Sequence, residues 1–398
     1  MTAFSNAAGL CKRGGQQLLK ISYYILILSH SPKLDVTRSQ RPSFPRYKNA
    51  LFSLLRPLCC EKLLANALRT ITAAANRSLR LILGSRRLAA FSMAAPVLTR
   101  FMIISDTHNF QFGDAEKVRG SFCQPTPKVD VLLHAGDLTG RGGLKSYKGV
   151  MNMLSEIDAE LKLVIGGNHD LSLDGAYWKR FCDDDHPKDI AEHDNAMEIF
   201  RGPLAKEAGV TYLEEGLNTF TLKNGAKFTI YTSPYQPEFC GWAFPYERNE
   251  DRFNLQPHCA PGVTSIATNP VPDFPSVDIM MTHGPPKNIL DWTAFDGSTV
   301  GCENLLRAVS RARPRLYCFG HIHEAYGAKI IIWKDDKHLI GAEAIEDQTQ
   351  KPNVYPTSSR WPIRFGKETL MVNAAIMNLQ YRPTNAPWLV DLELPRVT

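Results

Sequence analysis

Five short polar motifs in this chain each follow an apolar run. They are Asp-x-His at Asp106 and His108, Gly-Asp at Asp137, Gly-Asn-His-Asp at Asn168, His169 and Asp170, Thr-His-Gly at His283, and Gly-His-x-His at His321 and His323. All the donors are nitrogen or oxygen. Apolar runs of this kind read as buried strands, and in open sheets ligands gather beyond the carboxyl ends of strands. Residues i and i+2 of a strand point the same way, so Asp106 with His108, and His321 with His323, are expected to face one cleft. The glycine before Asp137 lets the backbone turn sharply. A carboxylate there has two oxygens and can bridge two cations, while Asn168 adds a neutral oxygen without more negative charge. The set can hold two divalent metals, and mixed imidazole and carboxylate donors without thiolate suit Mn, Fe or Zn. A metal-dependent hydrolase is the chemistry these residues predict.

The motifs differ in how much they say. Asp-x-His and Gly-Asp are common by themselves, whereas Gly-Asn-His-Asp after Leu-Val-Ile-Gly is specific, and all five in this order rarely arise by chance. Other polar residues have plainer readings. His134, beside Gly-Asp, is expected to be a core histidine, and His30, His186, His193, His258 and His338 to be surface residues. The run Asp183, Asp184, Asp185 reads as a solvated loop. Arg141 either contacts phosphate or lies on the surface. Tyr235, Trp242 and Phe244 are expected to pack rather than to line a pocket.

The elements that must position these groups follow from hydrophobic periodicity. Strands are predicted at Val97–Ser105, Val129–Ala135, Leu161–Ile165, Thr211–Leu213, Thr219–Leu222, Lys227–Thr232, Val277–Thr282, Leu316–Phe319, Ala328–Trp333 and Leu370–Asn373. Asn224-Gly225 marks a hairpin turn. Tyr147, Val150, Met151, Leu154 and Ile157 recur at helical spacing, as do Val300, Leu305, Leu306 and Val309. The polar stretch 340–366 reads as a surface insertion. Strands mixed with helices predict an α/β or α+β protein.

Of the 398 residues, the first 96 carry 15 Lys and Arg against two acids, leaving 31 bases and 38 acids for the rest. The main body is therefore acidic, and the net +6 belongs to the front segment. An acidic body has no basic stripe for a polynucleotide track. Residues 1–95 read as a basic extension, with a start at Met93 as one alternative and a mitochondrial targeting segment as another. Otherwise the chain is expected in the cytoplasm, where its nine irregularly spaced cysteines stay reduced. Vicinal Cys59 and Cys60 are conceivable lipidation sites. The apolar run Ile21–Ser29 is too short to span a bilayer.

The segments FMIISDTHN, LLHAGDLTGRGG, LVIGGNHD, MTHGPP and FGHIHEAYG resemble the signature of the calcineurin-like metallophosphoesterase superfamily. YTSPYQPEFCGWAF, together with THGPP, resembles more narrowly the metallophosphoesterase-domain-containing subfamily and its fungal relatives. The resemblance covers residues 96–398. It implies a four-layer αββα sandwich of two mixed sheets flanked by helices. It also implies a ligand set: Asp106, His108 and His323 on a first metal, Asp137 bridging, and Asn168, His283 and His321 on a second. His169 would face the substrate, steadied by Asp170.

Two cations about 3.5–4 Å apart would clamp a phosphoester and lower the pKa of a bridging water towards ~7, giving a hydroxide that attacks phosphorus. His169 would stabilise charge on the phosphoryl group or protonate the departing oxygen. The expected substrate is a small phosphodiester, or a monoester, possible nucleotides included. A phosphoprotein phosphatase is disfavoured, because Gly-Asp continues as LTGRGG rather than Val-Asp-Arg-Gly. The competing reading is a metal-bound scaffold that binds a partner with little turnover. Oligomeric state is left open.

Overall fold

The computed structural model describes residues 95–113, 122–181 and 191–397. The front extension, Cys59, Cys60, His30, His186 and the acidic run at 183–185 lie outside them.

Strands β1 (Val97–Ile104), β2 (Val129–His134), β3 (Ala159–Val164) and β4 (Val210–Tyr212) come first, interleaved with helices α1 (Leu144–Ser155), α2 (Gly175–Phe181), α3 (Glu192–Arg201) and α4 (Pro203–Ala208). Then follow β5 (Gly216–Thr221), β6 (Lys227–Ser233) and four two-residue strands, β7 (Gln236–Pro237), β8 (Pro245–Tyr246), β9 (Glu250–Asp251) and β10 (Thr264–Ser265). The chain closes with β11 (Ile279–Thr282), α5 (Glu303–Ala312), β12 (Leu316–Phe319), β13 (Gly327–Trp333), β14 (Ile345–Lys351), β15 (Glu368–Asn373) and β16 (Trp388–Leu394).

Two mixed sheets result, with strand orders β16-β1-β2-β3-β4 and β14-β13-β15-β12-β11-β6-β5. β1 through β4 run parallel, as do β6, β11, β12 and β15, and antiparallel strands close every edge except the one at β4. Strands covered on both faces need continuous apolar sequence, which is why β1, β2, β11 and β12 were legible as apolar runs.

Alternation along each strand builds three cores. Phe101, Ile103, Val131 and Leu133 face Phe228, Ile230, Ile279 and Met281 between the sheets. The Phe101 and Phe228 rings meet edge-on at 5.9 Å. Met102, Ile104 and Leu132 face the other way, onto Tyr147, Val150, Met151 and Leu154 of α1 and Phe200 of α3. Met280, Tyr317 and Phe319 pack against Leu305, Leu306 and Val309 of α5. The order is helices, sheet, sheet, helix: the four-layer αββα sandwich that the family resemblance implies. Each such side chain, taken fully out of water, contributes roughly 1.5–3 kcal/mol.

The stretch 340–366 is not only an insertion. Its residues Ile345–Lys351 form the edge strand β14, paired with β13 from Ala328↔Lys351 to Trp333↔Ile345. Five of those seven residues are exposed, so hydrophobic alternation carries no signal there. β16, paired antiparallel with β1, also went unpredicted. Among the described residues no helix is long and apolar enough to cross a membrane.

Candidate metal centre

All five motifs sit just beyond the carboxyl ends of parallel strands: β1, β2, β3, β11 and β12. The local backbone differs from the expected strand alternation. β1 ends at Ile104, and Asp106 and His108 lie in the following turn with φ of 53° and 39°. Asp137 and His321 also take left-handed values, 52° and 69°. Non-glycine residues rarely hold φ above zero, and such strain collects at functional sites. Left-handed turns at the strand exits, rather than i,i+2 alternation, aim these donors inward. Neighbouring glycines make room. A Cβ on Gly136 would lie 2.5 Å from the Gly166 carbonyl and 2.7 Å from His283 Nδ1. On Gly320 it would collide with Asp106 Oδ2 and Ser105 Oγ, and on Gly167 with Asp137.

Two groups of donors form. Asp106, His108 and His323 offer atoms within 4.8 Å of one another, and so do Asp137, His283 and His321. Asp137 lies between them: its Oδ1 is 3.3 Å from His283 Nε2 and its Oδ2 is 3.7 Å from His108 Nε2. Asn168 Oδ1 sits 2.8 Å from both His283 Nε2 and His321 Nδ1. Backbone amides anchor the two carboxylates. His321 N donates to Asp106 at 3.0 Å, and His169 N donates to Asp137 Oδ1 at 2.8 Å.

The ring tautomers show what the groups can hold. His108 Nδ1 donates to the Thr139 carbonyl, His323 Nδ1 to that of Asn378, and His283 Nδ1 to that of Ala135, at 3.0, 3.1 and 3.0 Å. In the neutral rings each Nε2 is then a lone pair. Yet His108 Nε2 and His323 Nε2 face each other at 3.1 Å, and His283 Nε2 faces only the oxygens of Asn168 and Asp137. Acceptors converge on acceptors, which a buried site tolerates only around positive charge. Carbonyls that fix the far nitrogen of a ligating histidine are a usual feature of metal sites. The donor set therefore fits divalent cations.

In the metal-free site, protons on His283 and His323 supply part of that positive charge. Burial alone would raise Asp106, but His323 and His283 hold it down at about 2. Burial also opposes ionisation of Asp137, and the imidazoles of His283, His108 and His169 hold it well below the usual carboxylate range. Burial pushes His108 down to about 4 and His321 to about 3, keeping both neutral and ready to ligate. Burial opposes charge on His283 too, yet Asp137 and Asp106 outweigh it and carry it up to about 9.

His169 belongs to neither group. Its Nδ1 donates to the Gly140 carbonyl at 2.8 Å, and its Nε2 stands 4.0 Å from Asp137 Oδ2. The ring stacks on Trp242 at 4.1 Å. Asp170 does not steady this ring, as had been expected. Its carboxylate accepts the backbone amides of Leu138, Thr139 and Gly167 and the Thr139 hydroxyl. Its role is to tie the Gly-Asp loop to the Gly-Asn-His-Asp loop.

The donors open into a cavity of about 320 Å³, lined also by Phe239, Trp242, Arg248, Leu379 and Tyr381. Tyr235 and Phe244 stay outside it, as expected, with Tyr235 against the Arg252 guanidinium at 3.4 Å. Trp242 does line it, contrary to the packing expectation. Arg141 is exposed and lies 5.3 Å from the Trp242 ring centre. His134 is buried, as predicted, with Nε2 2.9 Å from Thr107 Oγ1. His338 is exposed, while His193 and His258 are half-buried. Tyr381 and the carbonyls that fix the tautomers were missed, since neither a lone tyrosine nor a peptide oxygen leaves a mark in the sequence.

A sequence model described as calcineurin-like phosphoesterase matches residues 99–325. Metallophosphoesterase domain-containing protein 1 of Homo sapiens is 31% identical over 305 residues, covering 76% of this chain and 73% of its own length. A UPF0046 protein of Caenorhabditis elegans is 32% identical over 243 residues, 58% of this chain and 53% of its own. A short match, 52% identical over 42 residues, covers 11% of this chain and 18% of a Vesicomyosocius okutanii protein named "Probable cyclic nucleotide phosphodiesterase". The family match takes in more than half of the chain and all five motifs, so the chain belongs to the calcineurin-like phosphoesterases, within the subfamily of metallophosphoesterase domain-containing proteins.

Proposed function

We propose that this protein hydrolyses a small phosphodiester at a binuclear metal centre. The observation that carries the reading is the convergence of imidazole nitrogens with carboxylate and amide oxygens in two places, His108 on His323 beside Asp106 and His283 on Asn168 and Asp137, where a cation can stand in for the ring protons. Asp106, His108 and His323 would hold one cation, and Asn168, His283 and His321 the other, with Asp137 offering one oxygen to each. Bound there, divalent cations such as Mn, Fe or Zn withdraw charge from a phosphoryl oxygen and supply a nucleophile near neutral pH.

The remaining work falls to the chain's own side chains. His169 keeps Nδ1–H on the Gly140 carbonyl, so Nε2 is the atom that carries a proton towards the departing ester oxygen. Stacking on Trp242 fixes the ring plane for that transfer. Asp170 keeps the loops bearing Asp137 and His169 in register. Arg248 is the one Lys or Arg among the described residues that lines the cavity, and it is exposed at the rim with its guanidinium on the Val300 carbonyl. A monoester dianion needs more fixed positive charge than that, which favours the diester monoanion. The short match to the protein named for cyclic nucleotides supports the same preference.

The test is hydrolysis of bis-p-nitrophenyl phosphate and p-nitrophenyl phosphate by manganese-loaded protein, with a chelated control. Metal-dependent turnover, faster on the diester, is expected. No metal-dependent turnover of either would leave a metal-bound scaffold as the better reading.

A further inference from the structure

Tyr381 belongs to a turn built over the first donor group. Its amide donates to the Asn378 carbonyl at 2.9 Å, the same oxygen that receives His323 Nδ1–H at 3.1 Å. Asn378 Oδ1 closes the turn by accepting the amides of Gln380 and Arg382. Tyr381 itself has φ of 53°, a left-handed value that is an outlier for a bulky side chain. Such conformations persist where surrounding structure enforces them, and they cluster at ligand clamps.

The ring points at the centre. Its centroid lies 4.8 Å from His108, 5.4 Å from His323 and 6.3 Å from His169. A tyrosine used only for packing would be covered; this one is 49% exposed. Trp242 stacks on His169, so the cavity has two aromatic walls with His169 against both. Phe239 and Leu379, 60% and 50% exposed, extend the apolar lining. Metal-binding donors at the floor and bare aromatic faces at the sides suit a ligand with a phosphoryl end and a flat apolar end.

We propose that Tyr381 and Trp242 receive a flat, apolar arm of the phosphoester, making Tyr381 a residue that positions substrate and sets specificity. The proposal rests on the reading of the site as a phosphoesterase centre.

Calorimetric titration of the manganese-loaded full chain with phenylphosphonate and with methylphosphonate tests it, since the two ligands share the metal-binding end. The native protein is expected to bind the phenyl ligand about tenfold more tightly, which corresponds to roughly 1.4 kcal/mol. Tyr381→Ala should bring that ratio close to one, with manganese content and methylphosphonate affinity unchanged. Tyr381→Phe should keep the ratio, because the ring face is retained. An unchanged ratio in Tyr381→Ala overturns the proposal, and so does loss of manganese, which would make the ring a shield for the metal. Equal binding of both ligands by the native protein sinks this inference alone. Binding of neither overturns the inference, and absence of metal-dependent turnover of bis-p-nitrophenyl phosphate beside it sinks the phosphoesterase reading as well.

Discussion

His108 and His323 aim their Nε2 atoms at each other across 3.1 Å, while a backbone carbonyl holds the opposite nitrogen of each ring. Only a proton or a cation relieves the opposed lone pairs. Burial disfavours the proton on His108, whose pKa falls to about 4, whereas Asp106 overcomes burial and raises His323, so His323 is the ring that holds a proton in the metal-free site. A divalent cation placed between the two rings displaces that proton, and its binding stabilises the fold by mass action. At a hundredfold excess of free metal over Kd the gain is about 2.7 kcal/mol. Chelation should lower Tm, and manganese should restore it. Identical melting curves with and without metal would count against a centre at these residues.

Asp137 is the side chain the two groups share, with one oxygen towards His283 and the other towards His108. Its loss should empty both positions, whereas loss of a ligand confined to one group should empty one. Elemental analysis is expected to find close to no metal in Asp137→Ala and about half the native content in His323→Ala. Equal content in the two variants would show that Asp137 does not bridge.

His169 and Asp170 are neighbours with separate tasks. His169 touches neither donor group as a ligand, so His169→Ala should retain metal while kcat falls on the order of 10²–10⁴-fold, the usual contribution of general acid help. Asp170 receives four hydrogen bonds in a buried loop junction. Asp170→Ala would strand those donors, at a cost on the order of 1–3 kcal/mol each. Urea unfolding should show a loss of several kcal/mol for that variant and little change for His169→Ala. An Asp170→Ala protein of native stability but low turnover would assign the carboxylate a direct part in the reaction.

How much of this was legible depends on what each residue must satisfy. β1, β2, β11 and β12 are buried on both faces, so nearly every position had to be apolar and the runs stood out. The donors stood out because only a few side-chain types bind cations. β14 was hidden because most of it is exposed. The contacts of Asp170 were hidden because its partners are mostly peptide amides, identical at every residue. Trp242 and Tyr381 were unreadable for a third reason: an aromatic residue that packs and one that lines a cavity have the same composition, and only the fold separates them. The left-handed turns at Asp106, His108, Asp137 and His321 left no trace either, since none is a glycine.

His134 yields a pH dependence of stability. The ring is wholly buried, next to Thr107, with Nδ1 unpartnered among the described residues. Burial lowers its pKa from the ordinary 6.5 to about 3, although Asp106 and Asp137 pull the other way. In the unfolded chain the ring takes up a proton as pH falls through about 6.5; in the folded protein it does not until about 3. Between those values the unfolded state binds the extra proton. The stabilisation from keeping His134 neutral is thus full above pH 6.5 and declines as pH falls, by about 1.4 kcal/mol per unit. His134→Gln removes that dependence. In urea unfolding of metal-free protein from pH 7 to pH 5, the stability difference between native and variant should shift in favour of the variant as pH drops. The other histidines titrate equally in both proteins and cancel in that difference. A gap that stays constant across the range would mean that His134 takes up its proton as readily in the folded state as in the unfolded chain.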